Sequence, residues 1–230
     1  MRRIFLVYAL VLVLLSPAFS FAAGWRDGTY EGWSDAGPRS IQYAKVFIQD
    51  GEIAGVILRE YTDRLVEKDW TCYDYPPFGE AARTLGTKFV EAQLAEIDAY
   101  TGATGSSTGW MQAVERALKK AGDAKKEKQY FDGTFLGRSE VADRGYYEVV
   151  WVTVENDKIT GLQVQRVLAD LSVLDPDTYE GFPLEMARQA YAQELIGRDN
   201  ADVDAISGAT GLMNMLNIAV RDALDRASTK

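Results

Sequence analysis

Two seven-residue segments hold the residue types best suited to chemistry. Asp98-Ala99-Tyr100-Thr101-Gly102-Ala103-Thr104 and Asp204-Ala205-Ile206-Ser207-Gly208-Ala209-Thr210 each run acid, hydroxyl three residues on, then Gly-Ala-Thr. An apolar stripe of helical period follows each, so each sits at a helix N-terminus. Such a terminus offers free backbone N–H groups and the positive end of the helix dipole, a ready site for an anion such as phosphate. Gly102 and Gly208 permit a positive φ or a close approach of backbone to ligand. Ala103 and Ala209 leave room, and Thr104 and Thr210 put a hydroxyl at the same spot. Helix capping is the plainer explanation of one such segment. Capping, however, asks only for Ser, Thr, Asp or Asn, not for this whole set in two places.

The rest of the composition narrows the chemistry. The 230 residues contain no histidine, which removes the Ser-His-Asp triad, imidazole acid–base work, the usual zinc sites and histidine-ligated haem. One cysteine, Cys72, excludes an internal disulfide or a CxxC pair; beside Trp70 and Tyr73 it reads as a small hydrophobe. A net charge of −9 argues against nucleic acid as a partner. No carboxylate pair stands out as catalytic, and Asp175-Pro176-Asp177 with Glu180 lacks the spacing of a calcium loop. What remains is hydroxyl or carboxylate chemistry, a hard metal, or a cofactor with its own reactivity.

The elements that must position the two segments form a repeat. Asp27-Gly28-Thr29-Tyr30-Glu31-Gly32 returns as Asp132-Gly133-Thr134-Phe135-Leu136-Gly137. Residues 46–58 (VFIQDGEIAGVIL) return as 152–164 (VTVENDKITGLQV), and the Gly-Ala-Thr segments are likewise 106 residues apart. Four blocks in one order at nearly constant spacing imply a duplicated unit of about 100 residues, an ordinary domain size. The expected boundaries are 25–122 and 130–228, with a charged linker over 123–129. In each unit alternating apolar residues flank Asp50-Gly51 or Asn156-Asp157, which predicts a strand–turn–strand hairpin. A helix follows, with Phe78, Ala81, Leu85 and Phe89 on one face, matched by Leu184, Ala187, Tyr191 and Leu195. After the Gly-Ala-Thr segment comes a second helix, with Trp110, Ala113, Val114, Ala117 and Leu118 matched by Leu216, Ala219, Val220, Ala223 and Leu224. Strands early and helices late predict an α+β fold: two tandem repeats, each an antiparallel sheet with packed helices.

The chain opens with Arg2-Arg3, an apolar run from Ile4 to Leu15, then Ser20-Phe21-Ala22, the layout of a secretory signal covering 1–22. An uncleaved membrane anchor is the rival reading. Such a signal takes the chain out of the cytoplasm, and the periplasm is the expected compartment, with a packed core rather than disulfides supplying stability.

The Asp-x-x-(Ser/Thr)-Gly-Ala-Thr segment resembles the flavinylation motif of FMN-binding domains, such as those of the sodium-pumping NADH:quinone oxidoreductase C subunit and the Rnf complex G subunit. The Asp-Gly-Thr-aromatic-x-Gly opening and the (Asp/Asn)-x-x-Ile-x-Gly hairpin are similar to that family too, so the resemblance spans both repeats. It implies FMN held by a phosphoester to the last threonine, hence Thr104 and Thr210. The ester would be made outside the cytoplasm by a flavin transferase that uses FAD and a divalent metal. Asp98 and Thr101, and Asp204 and Ser207, would match the part the transferase recognises; Gly102-Ala103 and Gly208-Ala209 complete the motif. The sequence departs from the family pattern in two places: Leu212 stands where the first copy has Ser106, and Glu60-Tyr61-Thr62-Asp63 lacks the Pro-Gly of a common family segment. The aromatic residues of 70–78 would cover a flavin, meet a redox partner, or simply pin their own loop. The implied function is a periplasmic electron carrier between a membrane or periplasmic donor and an acceptor. A flavin-dependent periplasmic reductase and a flavin-free binding module of the same fold are the alternatives.

Overall fold

A computed structural model describes residues 24–73, 75–122, 127–204 and 208–230. The predicted signal segment, Ser207 and most of the linker lie outside them. The described chain folds as the same unit twice. Strands β1 (Gly28–Trp33), β2 (Ser40–Gln49) and β3 (Glu52–Thr62) form an antiparallel sheet in the order β1-β2-β3, followed by helices α1 (Pro76–Ala92) and α2 (Thr104–Ala121). Strands β4 (Gly133–Arg138), β5 (Tyr147–Glu155) and β6 (Lys158–Val167) form the second sheet, followed by α3 (Leu184–Leu195) and α4 (Thr210–Ala227). The expected α+β architecture of two antiparallel sheets with packed helices is therefore present.

The repeated residues have repeated jobs. The β2–β3 turn runs through Asp50 (φ 55°) and Gly51 (φ 76°), and the β5–β6 turn through Asn156 (φ 52°) and Asp157 (φ 62°). These left-handed pairs match the twist of the strands they join. Asp27 Oδ1 accepts the Gly51 N–H at 3.0 Å, and Asp132 Oδ1 accepts the Asn156 N–H at 2.8 Å, so the acid of each Asp-Gly-Thr opening locks a hairpin turn. The glycine that closes each opening is a point of close packing. A Cβ on Gly32 would stand 2.0 Å from the Ala113 carbonyl oxygen, and one on Gly137 2.0 Å from that of Ala219. At these two points α2 and α4 lie directly against β1 and β4.

Both predicted helix stripes of both units are buried. In the first unit Phe89, Leu85 and Trp110 fill the space between the helices and the sheet; Tyr191, Leu195 and Leu216 do so in the second. The Trp110 Nε1–H donates to the Arg59 carbonyl at 2.7 Å, so its one polar atom is satisfied in the core. Burial of such side chains, about 1.5–3 kcal/mol each for the larger ones, is the main force holding helix to sheet.

A third apolar cluster joins the units. It contains Ile41 and Leu65 of the first and Leu136, Tyr147, Val149 and Val167 of the second. Cations seal its margins: the Arg226 guanidinium lies 4.4 Å from the Trp33 ring centre, and that of Arg116 lies 4.8 Å from the Phe135 ring. Arg116 also donates to the Trp33 carbonyl at 2.7 Å, the Asp35 carboxylate at 2.7 Å and the Asp132 carbonyl at 2.9 Å. No helix among the described residues is long and apolar enough to cross a membrane.

Candidate functional site

Thr104 is the first residue of α2, and Thr210 the first of α4. The preceding Ala103 and Ala209 have no side chain that could cap, and no side-chain cap bond forms at either helix. Capping therefore does not account for the repeated Thr104 and Thr210 hydroxyls. Thr104 and Thr210 are exposed, and neither hydroxyl has a partner among the described residues. Gly102 takes φ 88° and Gly208 φ 83°, a conformation that favours glycine.

The approach to Thr104 is fastened by two residues outside the motif as read from sequence. Ser107 is fully buried; its Oγ donates to the Ala103 carbonyl at 2.7 Å and accepts the Tyr100 N–H at 3.1 Å. Tyr75 Oη donates to the Gly102 carbonyl at 2.8 Å. Sequence gave no sign of either role, because Met213 and Gly181 stand at the corresponding places of the second copy.

Thr104 opens onto a cleft of about 850 Å³. Its lining comes from the start of α2, from Tyr73, Tyr75 and Phe78, and from the 35–42 segment, Glu60, the 62–64 turn and Lys68. Gly102, Ala103 and Thr104 meet in this cleft, but Asp98 does not: it is exposed beside Glu91 and Glu96 at the far end of α1. Thr101 is exposed and, like Asp98, is not among the residues that line the cleft. A larger cavity, about 920 Å³, lies by Trp25 and Phe131 next to the undescribed linker and contains no motif residue.

Inside the cleft, Lys68 Nζ pairs with Glu60 Oε1 at 2.5 Å and lies 5.4 Å from the centre of the Tyr73 ring. Glu60 is 3% exposed, and its Oε2 is buried with no partner. A buried carboxylate oxygen left open is costly, and a ligand N–H is one way to satisfy it. The residues fit FMN. The volume is that of an ordinary ligand pocket, aromatic rings line it, and a helix N-terminus with a free hydroxyl is placed for the phosphate.

The second unit differs at the corresponding depth. Glu148, Arg166, Leu174 and Arg188 replace Gln42, Glu60, Lys68 and Ala82. The fully buried Glu148 takes Arg166 at 2.6 Å and Arg188 at 3.2 Å, and Arg166 lies 4.2 Å from the Tyr146 ring centre. Asp204, Gly208, Ala209 and Thr210 run up to α4 as Asp98 and Gly102 to Thr104 run up to α2; Ser207 is outside the described residues. Asp175 caps a short turn by accepting the Asp177 N–H at 3.0 Å, and among the described residues no group of three His, Cys, Asp or Glu could hold a metal.

The family model described as FMN-binding domain matches residues 40–119 and again 145–225. No curated protein matches. A solved structure, that of the CPE2226 protein from Clostridium perfringens, is similar at 24% identity over 42% of this chain and 88% of its own, with a TM-score of 0.37.

Proposed function

Because the chain belongs to the FMN-binding domain family, we propose that it is a periplasmic electron carrier with FMN esterified to Thr104 and Thr210. It takes electrons from a membrane or periplasmic donor and delivers them to an acceptor. The observation that carries this reading is the Thr104 hydroxyl: exposed, without a partner among the described residues, at the N-terminus of an 18-residue helix and facing a cleft of flavin size. The flavin supplies the redox chemistry when bound. The chain's residues do the rest. The first-turn N–H groups of α2 would hold the phosphate, Tyr73, Tyr75 and Phe78 would pack on the flavin and limit water, and Lys68 and Arg64 would set the charge around it. Asp98 and Thr101 are exposed and off the cleft, as suits residues read by a flavin transferase rather than by the flavin.

The test is flavin fluorescence of the denatured protein in a gel, after co-production with a flavin transferase. Wild type should fluoresce, Thr104→Ala and Thr210→Ala should each fluoresce less, and the double variant should be dark. A dark wild type beside a fluorescent control flavoprotein would refute the covalent reading.

A further inference from the structure

The 62–64 turn, which lines the same cleft as Thr104, is held from the second unit. Tyr147 Oη, on β5, donates to the Arg64 carbonyl at 2.9 Å, and Gln165 Nε2, on β6, donates to the Asp63 carbonyl at 2.8 Å. These two carbonyls lie on either side of the Arg64 backbone. The next residue, Leu65, is held at φ 54° with its side chain buried in the cluster that joins the units. The neighbouring stretch of wall is also pinned: the Ala36 N–H donates to the Thr134 carbonyl of β4 at 2.7 Å, and the Asp63 N–H to the Arg39 carbonyl at 3.1 Å. Arg64 lines the cleft; its guanidinium lies 3.5 Å from the Asp63 carboxylate, and its Nε is buried without a partner.

We infer that the second unit is a working part of the first unit's site: Tyr147 and Gln165 are positioning residues that clamp the backbone on both sides of Arg64 and so hold the root of its side chain at the cleft that Thr104 also lines. Among the described residues the equivalent turn of the second unit has no such clamp. Leu171, the equivalent of Leu65, has nearly the same φ of 65° but is 44% exposed, and Asp170 stands where Arg64 does. The two copies are thus unequal, with one supporting the charge placement of the other. A cation held beside a flavin favours the negative charge the ring gains on reduction, and a cation that moves off stabilises it less. The flavin part of this inference rests on the function proposed above; the clamp does not.

The test uses the full chain on a Thr210→Ala background, so that a single flavin is read, with Arg64→Gln, Tyr147→Phe, Gln165→Leu and the Tyr147→Phe/Gln165→Leu pair. Tyr147→Phe keeps the ring in the cluster and serves if the pair does not fold. Trypsin cleavage after Arg64, followed by mass with no flavin bound, should be several-fold faster in the clamp variants. With flavin loaded on Thr104, Arg64→Gln should lower the midpoint potential, and the clamp variants should move it the same way by a smaller amount, with a change in the visible circular dichroism of the flavin. Unchanged trypsin cleavage would overturn the clamp. Faster cleavage with an unchanged potential and spectrum would overturn its role in the site. No flavin on Thr104 in the parent would instead overturn the proposed function, leaving the trypsin result to decide the clamp.

Discussion

Replacing Gly32 with alanine adds one methyl group at the point where β1 meets α2. An ideal Cβ there falls 2.0 Å from the Ala113 carbonyl oxygen and 2.8 Å from the Ala117 nitrogen. Ordinary contact begins near 3.4 Å, so helix and strand must part by roughly 1.4 Å. The atoms struck are backbone, and no side chain can rotate away. The cost therefore lies at the upper end of the usual overpacking range, about 3 kcal/mol. That is a large share of a typical stability of about 5–15 kcal/mol, and corresponds to a fall of about 6–12 °C in Tm for a chain of this size. Gly105→Ala is the matched control on the same helix: its Cβ meets nothing within 4 Å, and the substitution should gain up to about 1 kcal/mol through helix propensity. Urea unfolding of the three proteins, followed by tryptophan fluorescence, reads the difference. A Gly32→Ala variant as stable as wild type would refute the packing argument and, with it, the reason given for the glycine that closes each repeat's opening motif.

Three further outcomes are expected. Ser107→Ala should cost about 1 kcal/mol in urea unfolding, because the half-buried Tyr100 N–H loses its acceptor, and the segment before Thr104 should exchange its amide hydrogens faster. Glu148→Gln should destabilise by about 3–5 kcal/mol, since two buried guanidinium groups lose their shared carboxylate; a loss under 1 kcal/mol would mean the trio is not coupled. The Lys128 ammonium, and then the Asn156 N–H, hold the Asp132 carboxyl below its ordinary value. A depressed carboxylate contributes stability above the unfolded pKa of about 3.9 and loses it as pH falls through the folded value. Stability against pH should therefore show Asp132→Asn weaker than wild type at pH 7, with the two curves converging as pH falls through the depressed folded-state pKa.

Much of one unit could be read from residue order, because each feature is local. Period-2 and period-3.6 patterns marked the strands and the buried faces of all four long helices, and Asp-Gly and Asn-Asp marked turns that need positive φ. Duplication made these signals stronger by showing each twice. The same duplication concealed what differs. Leu65 and Leu171 are the same residue in the same conformation, yet one is buried and the other exposed, since only the docking of the units tells them apart. Glu60 and Lys68 are ordinary surface residue types in sequence, and the cleft that they share with Thr104 is assembled from β3, the turn after it and α2. The motif itself divides in space: Gly102, Ala103 and Thr104 turn to the cleft while Asp98 sits elsewhere, a separation that a seven-residue string does not reveal.

The central claim is that these threonines carry the cofactor. Its most direct test is the intact mass of the protein made with an active flavin transferase, for wild type, Thr104→Ala, Thr210→Ala and the double variant. Two added FMN groups, each lost with its own threonine, are predicted. An unmodified wild type, from cells in which a control flavoprotein is fully loaded, would contradict the account.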